Sequence, residues 1–205
     1  MKTLDQIAIS HGTDKATSHP IVGNGKGHSY TPVYEKFFDP LRDQPINFLE
    51  IGVGSGESIL TWMEYFTHAD TRIVGVDIVH DTNEWNIPGD VLDGRYTFNQ
   101  GDQSDEGFWT SFLSNHGTNW DVVMDDGAHV SQHIITTFKH LWPALKSGGL
   151  YCIEDLHCAY YPEFWRDGWQ NHMDFVKDML DAINRSERGI KSIHYTRQLA
   201  IIQKS

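Results

Sequence analysis

Short apolar runs alternate with longer stretches of helical spacing over most of this 205-residue chain. Runs at residues 46–51, 72–78, 96–99, 120–124 and 150–153 have the length of strands. Between them, Ile59, Leu60, Trp62, Met63 and Phe66 recur as one face of a helix. Residues 108–113 predict a second helix and residues 134–145 a third, with Pro143 near its end. Strands alternating with helices in this way predict an open, mostly parallel sheet with helices on both faces. Gly148 and Gly149 turn the chain into the fifth run, and after it the alternation stops. A long helix is predicted from about residue 169 to 185, and the runs 192–196 and 199–203 pair as an antiparallel hairpin at the sheet edge. Seven strands result.

The first 45 residues show no strong periodicity. Gly12, Gly23, Gly25 and Gly27, with Ser, Thr and His between them, predict a loop over residues 12–29, and so long a loop in a compact domain calls for a function. Thr31 and Pro32 then open a short helix through Val33, Tyr34, Phe37 and Phe38. The expected division is an N-terminal helix and glycine-rich lid over residues 1–45, then one domain over residues 46–205.

Charge narrows the partners. Sixteen Lys and Arg stand against 28 Asp and Glu, for a net charge of −12, and no basic stripe reverses it locally, which argues against nucleic acid. No apolar run has the length of a membrane span, and the start lacks the basic-then-apolar form of a signal peptide. Two cysteines, Cys152 and Cys158, are too few for a disulfide framework, so a reducing, cytoplasmic setting is expected.

Glycines 52, 54 and 56 stand where the first strand turns into a helix, and a backbone without Cβ atoms lets a nucleotide-like ligand approach. A dinucleotide site wants a further glycine where Glu57 stands, and that carboxylate would sit beside a pyrophosphate. A ligand with a cationic centre fits better. Asp77 closes the second strand at the place of an acid that takes both ribose hydroxyls. Asp102, with Gln103 and Ser104, follows the third. The structural alternatives are a ligand-free tight turn for the glycines and helix caps or turns for the acids.

Asp125, Asp126 and His129 close the fourth strand, and Glu154, Asp155 and His157 the fifth. In an open parallel sheet the ligand crevice lies at the carboxyl ends of the strands, so both acidic clusters face one place. Carboxylates gathered there repel one another unless a cation neutralises them, and oxygen ligands select Mg²⁺, Mn²⁺ or Ca²⁺. Helix capping without an ion is the alternative. His129, across a glycine turn from Asp126, is the candidate general base, with His157 its rival and His133 a weaker one.

The motifs Gly12-Thr13-Asp14-Lys15, Tyr30-Thr31-Pro32-Val33-Tyr34, Leu49-Glu50-Ile51-Gly52-Val53, Gly75-Val76-Asp77-Ile78, Gln100-Gly101-Asp102-Gln103-Ser104-Asp105, Asp125-Asp126-Gly127-Ala128-His129 and Ile153-Glu154-Asp155-Leu156 occur in this order over about residues 10–165. Together they resemble the sugar O-methyltransferases of macrolide antibiotic biosynthesis, the mycinamicin and macrocin type of class I methyltransferase. The resemblance implies an α/β, Rossmann-like class I methyltransferase fold with the C-terminal antiparallel hairpin. It implies S-adenosyl-L-methionine at Glu50, Gly52, Gly54, Gly56, Ser58, Asp77, Asp102, Gln103 and Ser104, with Tyr30 and Asp126 beside it. It also implies Mg²⁺ on Asp126, Glu154 and Asp155, shared with neighbouring hydroxyls of a sugar-bearing small-molecule acceptor, and His129 as base. Residues 12–30 are then expected to close over the site and exclude water.

Two other readings share these residues: a cephalosporin hydroxylase-like protein with the same acidic triad, and a silent S-adenosylmethionine-binding partner subunit. Ala128 departs from the serine common in the motif, and the separate N-terminal domain of the mycinamicin-type enzyme is expected to be missing. Homo-oligomerisation is compatible with the sequence.

Overall fold

Alternate residues of the central strands enter two different cores. In the computed structural model, which describes residues 1–19, 25–79, 94–196 and 198–205, seven strands form one sheet in the order β3-β2-β1-β4-β5-β7-β6. They are β1 (Asn47–Ile51), β2 (Arg72–Asp77), β3 (Tyr96–Gln100), β4 (Trp120–Asp125), β5 (Leu145–Ile153), β6 (Ile190–Tyr195) and β7 (Ala200–Lys204). The first five pair in parallel, in registers such as Leu49 with Val74 and Leu49 with Val123. β7 runs antiparallel to both β5 and β6.

Leu49, Ile51, Val74, Val76, Val123, Tyr151 and Ile153 point to one face, where they meet α4 (Glu106–His116), α5 (Ser131–Ala144) and α6 (His172–Asn184). Phe48, Ile73, Val122, Met124, Leu150 and Cys152 point to the other, under α1 (Leu4–His11), α2 (Thr31–Phe38) and α3 (Glu57–Tyr65). This period of two, with both faces apolar, is what a parallel sheet covered on two sides requires. The fold class and the edge hairpin are those expected from the sequence. No helix among the described residues is long and apolar enough to cross a membrane.

Four local departures have physical causes. The opening segment holds a helix, α1, that its weak pattern concealed. Thr3 Oγ1 accepts from the Gln6 amide while the Gln6 side chain accepts from Thr3 N, Gly12 ends the helix at φ 80°, and Leu4, Ile7 and Ala8 are buried. β5 starts at Leu145 rather than 150, because α5 gives way directly to extended backbone and Leu145 already pairs with Trp120. α6 starts at His172, where Asn171 Oδ1 accepts from the Met173 amide, and residues 156–164 before it form two 3₁₀ turns. β6 begins at Ile190, two residues earlier than predicted, because Ile190 already pairs with Lys204 across a register shift before Ser192.

Within the expected loop over residues 12–29, Ser18 bridges Lys26 in antiparallel fashion, and the part around Gly23 lies outside the described residues. Of the two flanking helices, α1 packs on α3 and α2 supplies Tyr34 and Phe38 to the second core.

Candidate functional site

The sheet reverses its strand order between β1 and β4, and a cavity of about 770 Å³ opens at the carboxyl ends of the strands there, within the usual ligand-pocket range of roughly 300–1,000 Å³. Gly52, Gly54, Ser58, Asp77, Asp102 and Gln103 line it, together with Asp126, His129 and Asp155. Residues 11–15 form part of the same wall.

The glycine loop is built from backbone requirements. Gly52 has φ 83°, and a Cβ there would lie 2.0 Å from the Asp126 carbonyl oxygen, so only glycine lets the loop after β1 cross the end of β4. Asp77 Oδ2 accepts from the amides of Val53 (2.9 Å) and Gly54 (3.0 Å) and so holds the loop against the end of β2. Gly56 starts α3 at φ 95°.

Glu50 lies fully buried beneath that loop. Its Oε2 accepts from Ser58 Oγ (3.0 Å) and Trp62 Nε1 (2.9 Å), and burial pushes its carboxyl up to about 7 against the pull of Lys15. Glu50, Gly56, Tyr30 and Ser104 do not line the cavity. Asp102 Oδ1 accepts from both the amide and the hydroxyl of Ser104 (2.8 and 2.7 Å), which holds its carboxyl below the usual range. Gln103 ties two strand ends together: its Nε2 donates to Asp125 (2.6 Å) and its Oε1 accepts from the Ala128 amide (3.0 Å). Burial raises the Asp125 carboxyl to about 7.

At the ends of β4 and β5 the acids and imidazoles converge. One ligand atom each from Asp126, His129 and Asp155 lie within 4.8 Å of one another. His129 Nε2 stands 3.5 Å from Asp155 Oδ2 and 4.0 Å from Asp126 Oδ1. His129 and Asp155 both have left-handed backbones, φ 56° and 53°, a conformation that costs energy outside glycine and concentrates at functional sites. Glu154 is turned inward from this group. Its Oε1 accepts from Tyr34 Oη (2.6 Å) and its Oε2 from Lys15 Nζ (2.8 Å), and burial, with Asp126 adding to it, raises its carboxyl well above the ordinary value.

Lys15 and His28 reach this centre without having been singled out for a role, and Tyr30, expected beside the donor, joins them there. Lys15, 2% exposed, places its ammonium on Asp126 and Glu154 and 3.7 Å from Glu50 Oε1. Burial alone would lower its pKa, but the three carboxylates outweigh that and hold it above the ordinary lysine value. Tyr30 donates its hydroxyl to Asp155 Oδ1 (2.5 Å), and His28 stacks on Tyr30 with Nδ1 3.6 Å from the same oxygen. Nothing local announces a lysine 111 residues before its partner. The signal was Lys15's place in the Gly-Thr-Asp-Lys motif. His157, the rival base, stands with Nδ1 3.8 Å from Asp155 Oδ1. His133 lines the cavity, its pKa lowered by burial.

Comparison with known proteins agrees with this architecture. The family profile described as "Methyltransferase domain" matches residues 49–156. The chain is 33% identical to a tetracenomycin-C rhamnosyl 3'-O-methyltransferase of Streptomyces olivaceus, over 98% of this chain and 53% of that protein. It is 32% identical to mycinamicin VI 2''-O-methyltransferase of Micromonospora griseorubida, over 86% of this chain and 48% of that one. The chain thus spans about half the length of the curated relatives it matches. Among solved structures, the MycE methyltransferase of mycinamycin biosynthesis, in complex with Mg, SAH and mycinamycin VI, matches with a TM-score of 0.82 and 30% identity, covering 100% of this chain and 55% of that one.

Proposed function

Because the chain belongs to the family that carries this methyltransferase domain, we propose that it transfers a methyl group from S-adenosylmethionine to a hydroxyl of a sugar borne by a natural product, with the help of a divalent ion. The observation that carries the proposal is the convergence of Asp126, His129 and Asp155 beside a cavity that also takes in the glycine loop. The names of the sugar O-methyltransferases it matches, and the Mg and SAH bound in one of them, support the choice of acceptor class and of both ligands.

The donor set fits a hard ion: the carboxylates of Asp126 and Asp155 meet there with the His129 ring beside them, and Glu154 brings a third carboxylate to the end of β5. Asp126 and Asp155 are the residues that would hold the ion, and Glu154, whose oxygens accept from Lys15 and Tyr34, would turn toward them to join as the third carboxylate. When bound, S-adenosylmethionine supplies an electrophilic methyl on a sulfonium, and the ion supplies Lewis acidity toward the acceptor oxygens.

The remaining work falls to the chain's own side chains. His129 Nε2 takes the proton from the acceptor hydroxyl as the oxygen becomes nucleophilic. Asp155 Oδ2 lies 3.5 Å from the same nitrogen, so a carboxylate stands where the ring gains positive charge. Tyr30 fixes Asp155 in turn. Gly52 and Gly54 let the loop backbone approach the donor's amino-acid portion, while Glu50 and Ser58 brace the loop from beneath. Asp77 and Asp102 keep acceptor oxygens for the ribose and adenine. The wall made by residues 11–15 shields the reacting atoms from water.

Transfer of labelled methyl from S-adenosylmethionine to a panel of rhamnosylated and other deoxysugar-bearing polyketides tests the proposal. The expected result is labelled product with Mg²⁺ and none in excess chelator. Full activity in chelator would remove the ion from the account, and no transfer to any glycosylated acceptor would remove the acceptor class.

A further inference from the structure

Three carboxylates of the site already have a cation among them. Lys15 Nζ donates to Asp126 Oδ2 and to Glu154 Oε2, and its third neighbour is Glu50 Oε1. The backbone around it is pinned as well. The Lys15 carbonyl accepts from the amides of Tyr30 (2.9 Å) and Thr31 (3.1 Å) at the start of α2, and the Asp14 carbonyl accepts from the His28 amide (2.7 Å). The ammonium is therefore delivered to one place by a segment folded back on itself. A surface lysine would be screened by solvent and salt, but one buried this deeply acts at nearly full strength on a second cation a few ångströms away.

We infer that Lys15 is a positioning residue that sets how tightly the site takes a divalent ion, neutralising the Glu154 side of Asp126 while the other side faces Asp155 and His129. The inference rests on the reading that a divalent ion binds at these acids. Its direction follows from charge. Affinity at oxygen-ligand sites rises with the negative charge of the donor set, and the ammonium removes one unit of it. The lysine thus keeps the site from holding the ion too firmly before an acceptor arrives. It also keeps the carboxylates ordered when no ion is present.

The test is Mn²⁺ binding to the full chain, without methyl donor or acceptor, read from the loss of the free-ion electron paramagnetic resonance signal. Lys15→Met keeps the length of the side chain and removes its charge, and Lys15→Arg keeps the charge. Lys15→Met is expected to bind Mn²⁺ about tenfold or more tightly than wild type, with Lys15→Arg near the wild-type value. Equal or weaker binding by Lys15→Met overturns the inference, as does tightening by Lys15→Arg to the same degree. Wild-type protein that takes up no Mn²⁺ overturns the divalent-ion reading and this inference with it, whereas wild type that binds alongside an unchanged Lys15→Met overturns the inference alone. Should Lys15→Met not fold, Lys15→Gln, whose amide still donates to one carboxylate, carries the same expectation.

Discussion

The hydroxyl of Tyr30 donates to Asp155 Oδ1 over 2.5 Å, so a side chain at the start of α2 fixes a carboxylate at the end of β5. Tyr30 is itself held by stacking on His28 and an edge contact with Tyr34. Tyr30→Phe keeps those ring contacts and removes only the donor. A partner that orients a metal-ligating carboxylate typically matters by about 10–100-fold in metal affinity or activity, and a loss in that range is expected here. Mn²⁺ titration with a melting curve alongside checks it, since a fall in affinity without a comparable fall in melting temperature separates orientation from folding.

Glu50 is a buried support for the glycine loop, with both Ser58 Oγ and Trp62 Nε1 as donors to one oxygen. Glu50→Ala strands those two donors and leaves Lys15 short of a counter-charge. The expected cost is roughly 2–4 kcal/mol. Urea unfolding measures it, and an unchanged midpoint would show that the loop does not depend on this carboxylate.

Gly52→Ala sets a Cβ against the Asp126 carbonyl on a backbone at φ 83°, where neither atom has room to retreat. The end of β4 must move, and Asp126 with it. Binding of S-adenosylmethionine and of Mn²⁺ should both weaken by about tenfold or more. Isothermal titration of each ligand checks whether the two sites fail together, as this shared contact requires.

His172 is fully buried, with Nδ1 2.9 Å from Ser131 Oγ, and burial, reinforced by His129, lowers its pKa to about 4. The folded protein holds it neutral, while the unfolded chain binds a proton below about 6.5. Its contribution is therefore intact above pH 6.5 and is lost progressively as pH falls toward 4. His172→Asn keeps a group able to bond Ser131 but does not titrate. Between pH 7 and 4.5 the wild-type urea midpoint should fall more than that of the variant, and parallel curves would contradict the assignment.

The alternating runs in β1, β2, β4 and β5 were legible because both faces of the sheet are apolar and each strand leads into a strongly patterned helix. The positions of Asp77, Asp126 and Asp155 followed from where those strands end. α1 escaped because eight residues with three buried side chains make a weak periodic signal, and its caps carry more of its definition than its face does. The extent of β5 escaped for a different reason: residues 145–149 are recruited by pairing with Trp120 and by the Lys146–Asp121 ion pair, which no local preference encodes. Lys15 is the largest gap. Its role arises from a fold that returns residue 15 to the ends of strands more than a hundred residues later, and charge patterning along the chain carries no trace of that.

The measurement that tests the central claim most directly is calorimetric titration of S-adenosylmethionine into chelator-treated protein, with NAD⁺ titrated in parallel and both repeated with Mg²⁺. The account predicts one-to-one binding of S-adenosylmethionine with or without the ion and no binding of NAD⁺, since Glu57 stands beside the loop where a pyrophosphate would lie. Binding of NAD⁺ with none of S-adenosylmethionine would contradict the methyl-transfer reading at its root.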